Sequence, residues 1–244
     1  MPRLLRARAE RLQTEALLVR RVAVGESDLV LTFFTEARGL VAAAARAARR
    51  SWRRFSALEP VHLLQIAVDE RAGSDLASLV ETSILRPRSC VVGDLARLEV
   101  AGRALRWVRR ALPPQTPEPL LWAEVNGLLD RLDEAGGVVL PEVLLGSAGL
   151  RMLSAVGWGL DLERCVRCGR ACGAEASAYV DPAAGGLVCR VCGGAPRVLR
   201  ADRRLRLVAA AGGDDAALLE EDAKLAMELV DAALSAHSGQ GGEG

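Results

Sequence analysis

The chain has 244 residues, of which 50% are hydrophobic, 26% are charged and only 3% are aromatic. This composition excludes a disordered or fibrous protein, and the length allows two ordinary domains. The net charge of +1 hides an asymmetry, because residues 1–60 hold 12 basic and 6 acidic side chains whereas residues 201–244 hold 4 and 9. The N-terminal part therefore favours an anionic partner, with nucleic acid as the first candidate and a membrane surface as the second.

The cellular compartment can be inferred from what interrupts the apolar segments. No segment approaches the roughly 18 consecutive apolar residues that span a membrane, and arginines break the N-terminus where a signal peptide needs an apolar core. We therefore expect a cytoplasmic protein without a membrane partner. In a reducing compartment, cysteines arranged as Cys-x-x-Cys pairs indicate a metal site rather than disulfides.

The first third of the chain predicts a basic leader and a small barrel. Residues 1–14 are arginine-rich and are predicted to form a frayed helical leader. Runs of β-branched and aromatic residues then predict two antiparallel hairpins, 16–24 with 29–35 and 61–69 with 76–85. The alanine-rich segment from Leu40 favours a helix by propensity, which conflicts with a barrel. If this segment is nevertheless a strand, residues 15–88 form five short strands, as in an OB-type or SH3-like barrel.

Helical periodicity begins beyond Pro87 and predicts a helical domain over residues 89–238. Asp94 is expected to cap the first helix, and the segment PPQTPEP is expected to form a linker after it. Three further helices are predicted, at 121–132, from 141 toward 157, and over about 215–236. The glycine-rich residues 239–244 are expected to be a disordered tail.

Two Cys-x-x-Cys pairs separated by twenty residues form the most specific motif of the chain: Cys165 with Cys168 and Cys189 with Cys192. Each pair places two thiolates on a tight turn, and two such turns complete the tetrahedral shell that Zn²⁺ prefers. Gly169 and Gly193 follow the second cysteine of each pair, where glycine lets the backbone turn back toward the sulfurs. The motif predicts one structural Zn²⁺ in a ribbon at 163–194. A disulfide pair, a redox pair and unrelated buried thiols are the alternatives.

The surroundings of the motif add a charge argument and two further cysteines. Four thiolates on Zn²⁺ leave two negative charges, which nearby arginines can offset: Arg164, Arg167, Arg170 and Arg190. Cys172 lies four residues after Cys168, close enough to replace a ligand, but we expect it to be a spare thiol. Cys90 stands alone and is expected to be a small core residue.

Catalytic motifs are missing from the sequence. A four-cysteine site leaves zinc no open position for a substrate. The base-deaminase pattern fails as well, because no proline precedes either cysteine pair and Leu64 stands where His62 would need a glutamate two residues on. The phosphate-loop motif Gly-x-x-x-x-Gly-Lys-[Ser/Thr] does not occur in the sequence. A Ser/His/Asp arrangement cannot be built convincingly either, since His62 and His237 are the only histidines. We therefore expect a protein that is not an enzyme and does not hydrolyse ATP.

An arginine run after the alanine-rich segment is the strongest candidate for nucleic-acid contact. Guanidinium groups bind phosphates bidentately, and aromatic rings stack on unpaired bases. The predicted contacts are Arg46, Arg49, Arg50, Arg53, Arg54 and Trp52, with Arg20, Arg21 and Arg38 extending the same groove. In the alternative interpretation the run is a solvated loop in which Trp52 and Phe55 plug the end of the barrel.

Two blocks of the sequence match a known pattern. The first contains VRRVAVGESDLVLTFFTEARGL, ARAARRS, ALEPVHLLQI and SDLASL, and the second contains CVRCGR followed by AYVDPAAGGLVCRVCGG. Together they cover most of residues 15–88 and 160–194. In these blocks the chain resembles the RecO family of bacterial DNA-repair mediators, in the version that keeps its metal. It departs from the family at Ala47, where a glycine is common in the basic turn.

The resemblance implies an α+β fold, with an N-terminal OB-type β-barrel followed by a helical domain that carries an inserted four-cysteine zinc site. It also implies binding of single- and double-stranded DNA, annealing of complementary strands and partnership with RecR. The resemblance further implies that the single-strand-binding protein recruits this protein to DNA at the nucleoid. There it is expected to act as a mediator that helps to load recombinase. One rival is a zinc-ribbon RNA- or protein-binding module of the transcription or translation machinery. Another is an enzyme with a structural zinc and an active site that the sequence does not reveal.

Overall fold

A computed structural model describes residues 10–48, 55, 58–70 and 73–238 of the chain. The chain divides into two units, one comprising residues 1–89 and 112–119 and the other comprising residues 90–111 and 120–244. The first nine residues of the predicted leader and the predicted tail at 239–244 lie outside the described residues.

The first unit contains a closed barrel of five strands: β1 (Glu10–Val24), β2 (Asp28–Thr35), β3 (Gly39–Ala45), β4 (Leu63–Glu70) and β5 (Leu76–Arg86). Its strands follow the order β1-β2-β3-β5-β4, and β1 closes the barrel against β4. All pairs are antiparallel except β3 with β5. This architecture confirms the predicted OB-type barrel and both predicted hairpins.

Strand β1 is longer than the sequence pattern predicted. Residues 10–14, expected to belong to a helical leader, instead pair with β4, for example Thr14 with Ile66. The register of β1 against β2 shifts between Leu18 and Arg20, so the first half of the strand pairs with β4 and the second with β2. The helical prediction was wrong here because residues 11–15 alternate between exposed and half-buried positions, as in a strand, and Leu12 packs against the barrel core.

Strand β3 resolves the conflict between alanine propensity and the barrel. Along its whole length it pairs with β2, from Leu29 opposite Ala45 to Thr35 opposite Gly39. Its alternate residues Ala43 and Ala45 are fully buried in the barrel core. Tertiary pairing therefore overrides the helix preference of alanine, whose small side chain also suits the narrow interior of a five-stranded barrel.

The predicted linker at 113–119 is part of the barrel unit. Residues 112–119 belong to the first unit, and the backbone N–H of Gln115 donates to the carbonyl of Leu40 at 3.0 Å. Pro114 forms an isolated parallel bridge with the same leucine. The chain thus leaves the barrel unit over residues 90–111 and returns to it, which composition alone did not indicate.

The second unit is largely helical. Its helices are α1 (Ser89–Val92, with Ser89 in the first unit), α2 (Leu95–Ala111), α3 (Pro119–Asp133, with Pro119 in the first unit), α4 (Pro141–Ala155), α5 (Ala201–Ala211) and α6 (Glu220–Ser238). Helix α4 has buried residues along almost its whole length and contacts α2, α5 and α6. Asp94 caps α2 as predicted, since its carboxylate accepts the backbone N–H of Arg97 at 3.1 Å. No helix within the described ranges is long and apolar enough to cross a bilayer.

Helix α5 was not predicted from the sequence. Its buried face consists of Arg204, Leu207 and Ala210, so a charged residue stands where the pattern requires an apolar one. The last predicted helix was placed at 215–236, whereas α6 begins at Glu220 after a short 3-10 turn at Asp215–Ala217. Both differences occur in segments whose charged side chains lie inside the second unit.

Candidate metal centre and nucleic-acid interface

The cysteine motif lies in a small sheet inserted between α4 and α5. Its strands are β6 (Asp161–Cys165), β7 (Ala178–Asp181), β8 (Gly186–Leu187) and β9 (Arg197–Leu199), in the order β6-β8-β7-β9. Strand β6 ends at the first cysteine turn, and β8 leads into the second. Because β6 and β8 are neighbours and run parallel, the two turns meet at the same end of the sheet.

The four cysteines predicted as ligands form one cluster. The sulfur atoms of Cys165, Cys168, Cys189 and Cys192 all lie within 4.8 Å of one another. Tetrahedral Zn²⁺ with Zn–S bonds of about 2.3 Å places its sulfurs about 3.8 Å apart, and the Sγ atoms of Cys168 and Cys189 are 3.8 Å apart. The donor set and its spacing therefore fit a closed, four-thiolate metal site.

Hydrogen bonds within the cluster set its thiols apart from ordinary cysteines. The backbone N–H of Cys189 donates to the Sγ of Cys165 at 3.3 Å and lowers the pKa of that thiol to about 6. Hydrogen bonding to the sulfurs of Cys189 and Cys168 raises the pKa of Cys192 to about 12. Because four thiolates this close together repel one another, full deprotonation of the cluster calls for a compensating cation.

The backbone of both cysteine turns follows the predicted geometry. Gly169 and Gly193 have φ values of +71° and +105°, which L-residues with side chains rarely adopt. The N–H of Gly169 donates to the carbonyl of Cys165 at 2.8 Å, closing the first turn. The guanidinium of Arg167, on the first turn, donates to the carbonyl of Cys192 on the second at 2.8 Å. This arginine therefore links the two turns directly.

A buried arginine, not predicted from the sequence, ties this sheet to the helices. The side chain of Arg204 on α5 is almost completely buried and donates to three backbone carbonyls: those of Leu162 at 3.0 Å, Gly173 at 2.7 Å and Ala174 at 3.2 Å. Backbone carbonyls thus bind both terminal nitrogens of the buried guanidinium, while its Nε has no hydrogen-bond partner among the described residues. No sequence signal distinguishes Arg204 from the arginines beside it.

The remaining two cysteines lie outside the cluster. The thiol of Cys172 is 3.8 Å from the carbonyl of Ala176, and Cys172 does not belong to the group of four. This agrees with the prediction that it is a spare thiol. Cys90 is half-buried in the short helix α1, where its backbone N–H donates to Asp133 at 2.8 Å.

The basic run begins in a tight turn that follows β3. Arg46 is exposed, and the next residue, Ala47, has a left-handed backbone with φ +54°. The N–H of Ala47 donates to the carboxylate of Asp28 at 2.8 Å. That hydrogen bond, together with one from the hydroxyl of Ser27, lowers the pKa of Asp28. The position where the family commonly has glycine is thus one that requires a positive φ.

Replacing Ala47 by glycine is expected to stabilise the barrel unit. A left-handed alanine costs about 1–2 kcal/mol, and glycine removes this cost. The larger backbone entropy that glycine loses on folding offsets about half of the gain, so the free energy of unfolding should rise by about 0.5–1 kcal/mol. Denaturant titration measures this change. The matched change Ala48→Gly, at a buried residue without positive φ, should lower stability. A lower stability of Ala47→Gly would contradict the strain argument.

The chain leaves the basic run through anchored residues. Phe55 and Leu58 are buried in the barrel core, so Phe55 does plug the barrel as the alternative interpretation held. Arg21 donates to the carbonyl of Leu58 at 3.2 Å. Val61 has a φ of +76°, and its carbonyl accepts the buried guanidinium of Arg88 at 2.7 Å. The described ends of the run are therefore fixed to the barrel.

The other predicted contacts differ in their surroundings. Arg20 is exposed on β1, beyond the register shift. Arg38 is also exposed but forms an ion pair with Glu70 at 2.9 Å, so a phosphate would have to compete with a carboxylate there. Arg49, Arg50, Trp52, Arg53 and Arg54 lie outside the described residues.

Together, these features define an OB-fold protein whose helical unit carries a four-cysteine ribbon that could hold a metal ion. Comparison with known proteins is consistent with this class. A family model described as "Recombination protein O N terminal" matches residues 10–88, and one described as "Recombination protein O C terminal" matches residues 92–242.

Individual relatives align over nearly the same span. The DNA repair protein RecO of Anaeromyxobacter sp. (strain Fw109-5) is 38% identical over 240 residues, which cover 95% of this chain and 93% of the relative. The DNA repair protein RecO of Geobacter sulfurreducens is 33% identical over 230 residues, covering 93% and 92% of the two chains. The chain therefore belongs to the RecO family, which supports a role in DNA repair and recombination.

Proposed function

We propose that this protein is a recombination mediator that binds single- and double-stranded DNA and anneals complementary strands without catalysing a covalent step. The observation that carries the proposal is the match of both units to the two RecO family models, over residues 10–88 and 92–242. The rival module of the transcription or translation machinery has no comparable support. We place the protein's action in the cytoplasm, at the nucleoid.

The proposed DNA contacts centre on the basic run. The run begins at Arg46, on a turn held by Asp28, and is followed by residues packed into the barrel. A loop fixed at both ends loses less conformational entropy when it binds a strand. We propose that Arg46, Arg49, Arg50, Arg53 and Arg54 bind phosphates and that Trp52 stacks on a base, with Arg20, Arg21 and Arg38 as outer contacts.

The proposed cofactor is one Zn²⁺ with a structural role. Cys165, Cys168, Cys189 and Cys192 would hold it, and a closed shell of four thiolates supplies cross-linking rather than a reactive position. The chain's own residues link the site to its surroundings, since Arg167 ties the two cysteine turns and Arg204 ties the ribbon to α5. We propose that this ribbon keeps the second unit in one conformation.

The proposed partners are RecR and the single-strand-binding protein, with the protein helping to load recombinase on coated strands. Family membership supports these partners, and no described residue is assigned to either contact. A pull-down from bacterial lysate with zinc-loaded protein should retain both. Competition between DNA and RNA for the same protein separates this function from that of an RNA-binding module, which would prefer RNA.

Annealing of complementary strands in the absence of ATP is the direct test of the proposal. A basic barrel can bring two polyanions together by screening their repulsion, and the sequence carries no phosphate loop that would couple the process to hydrolysis. Complementary oligonucleotides coated with single-strand-binding protein and labelled with a dye pair should form duplex faster with the protein than without it. The rate should not change when ATP is added.

The control reaction contains non-complementary oligonucleotides, which should give no energy transfer. Annealing that stays at the background rate, or that appears only after ATP is added, would contradict the proposed function while leaving the fold and the cysteine cluster unaffected.

A further inference from the structure

We propose that the cysteine ribbon carries a second contact for single-stranded DNA, in the form of a cavity that holds one unpaired nucleotide. The inference rests on the proposed function, because it assumes that the protein binds single strands. It goes beyond that function because the contact lies in the second unit, on residues that the barrel does not contain.

The cavity has a volume of about 460 Å³ and lies beside the cysteine cluster. Its apolar floor includes Leu187 and Val188, which are 2% and 0% exposed. Its polar lining is made of Arg170, Ser177, Tyr179 and Arg190, together with the thiols of Cys165, Cys172 and Cys189. This size and this mixture of a firm apolar floor with a few convergent polar groups are typical of sites for small ligands or single groups of a larger one.

The polar side chains that line the cavity have unused hydrogen-bonding capacity. Among the residues that the structure describes, the side chains of Arg170, Arg190, Ser177 and Tyr179 have no hydrogen-bond or ion-pair partner. Other arginines of the same unit are paired with carboxylates, as Arg151 is with Asp215 at 2.8 Å. Two unpaired guanidiniums facing one concavity therefore set this place apart within the unit.

The charge of the cavity favours an anionic group. None of the described residues that line it is an aspartate or a glutamate. Four arginines lie on or beside the two cysteine turns: Arg164, Arg167, Arg170 and Arg190. Only Arg170 and Arg190 line the cavity, and their two positive charges offset the two negative charges that four thiolates on Zn²⁺ would leave. An anion entering the cavity thus meets two guanidinium groups and no carboxylate.

The combination of an aromatic ring with guanidinium groups favours a nucleotide over a simple anion. Guanidinium groups bind phosphate bidentately, and an aromatic ring provides a stacking surface for a base of any sequence. The ring of Tyr179 is supported by the backbone of Gly194, since a Cβ at that glycine would lie 3.6 Å from ring atoms. Val198, on the neighbouring strand β9, adds apolar surface to the same cavity.

Photo-cross-linking tests the contact in the full zinc-loaded chain. An oligothymidylate strand that carries 5-iodouracil at one position should cross-link to the peptide containing Tyr179, which is the only tyrosine of the chain. Tyr179→Leu keeps the apolar volume but removes the ring, so it should abolish this cross-link and weaken single-strand binding about fivefold or more. Tyr179→Phe should keep both.

The arginines provide an independent pair of variants. The double change Arg170→Glu and Arg190→Glu should also abolish the cross-link. Arg164→Glu is the matched control, because it changes the charge of the same ribbon at a residue that does not line the cavity. Zinc content is measured for every variant, so that a loss of contact with zinc retained reports on the cavity itself.

The outcomes separate this inference from the function on which it rests. Unchanged cross-linking and affinity in Tyr179→Leu would overturn the inference, as would equal losses in Arg164→Glu and the double variant. An acidic peptide that binds in an Arg170- and Arg190-dependent manner, without any DNA cross-link, would assign the cavity to protein instead. If the parent protein binds no DNA, the proposed function fails as well; if it binds DNA through the basic run alone, only the ribbon contact fails.

Discussion

Cys189→Ser is expected to abolish stoichiometric zinc binding and to lower the melting temperature of the protein. The Sγ of this residue lies 3.8 Å from that of Cys168, and its N–H donates to the Sγ of Cys165, so it connects both cysteine turns. Structural zinc contributes about 10–16 kcal/mol of apparent binding energy in small peptides, far more than an ordinary point mutation removes. Metal analysis and thermal unfolding of purified protein measure the two effects.

Cys172→Ser is the matched control for this prediction. It changes the same chemical group within the same ribbon, but its thiol is not part of the four-sulfur cluster. Zinc content should stay at about one ion per chain, and the melting temperature should change little. Full zinc occupancy in Cys189→Ser, or parent protein purified without zinc, would contradict the assignment of the metal site.

The double change Arg49→Glu and Arg50→Glu is expected to cause the largest loss of DNA affinity and to reduce its dependence on salt. If about four phosphates of a single strand are neutralised, the slope of log affinity against log salt is about −3, since each phosphate contributes about −0.7. Removing two contacts should bring the slope to about −1.5. Fluorescence anisotropy at several salt concentrations measures affinity and slope together.

Arg106→Glu with Arg200→Glu is the control for this pair. Both arginines are exposed residues of the second unit, and the change in net charge is the same. The control should shift affinity slightly and leave the slope near −3. Equal slopes for the parent and Arg49→Glu/Arg50→Glu would place the DNA contact outside the basic run.

Much of the architecture could be predicted because its signals are local. The hairpins of the barrel follow from runs of β-branched residues, and the cysteine cluster follows from ligand spacing that only a metal site explains well. Gly169 and Gly193 were predicted to reverse the chain, and both have positive φ. In each case a short segment carries the complete physical reason for its structure.

The features that sequence analysis missed depend on contacts between distant segments. The alanines of β3 form a strand because β2 lies beside them, and the proline-rich segment returns to the barrel by pairing with Leu40. Arg204 occupies a buried position on α5 because three carbonyls from the ribbon surround it. An arginine in the pattern gives no sign of such a partner, so α5 was overlooked.

The parallel pair of the barrel has a consequence for the order of folding. Strands β3 and β5 pair over only three residues, from Ala42 with Leu76 to Ala44 with Ser78, whereas each antiparallel ladder of the barrel has seven pairs. This short parallel pairing, here called the seam, joins segments more than thirty residues apart. Closing so long a loop costs conformational entropy before the strand contacts can stabilise it. The hairpins should therefore form first and the seam last. Because β3 runs directly into the basic run, DNA bound there as proposed would stabilise the closed seam by mass action.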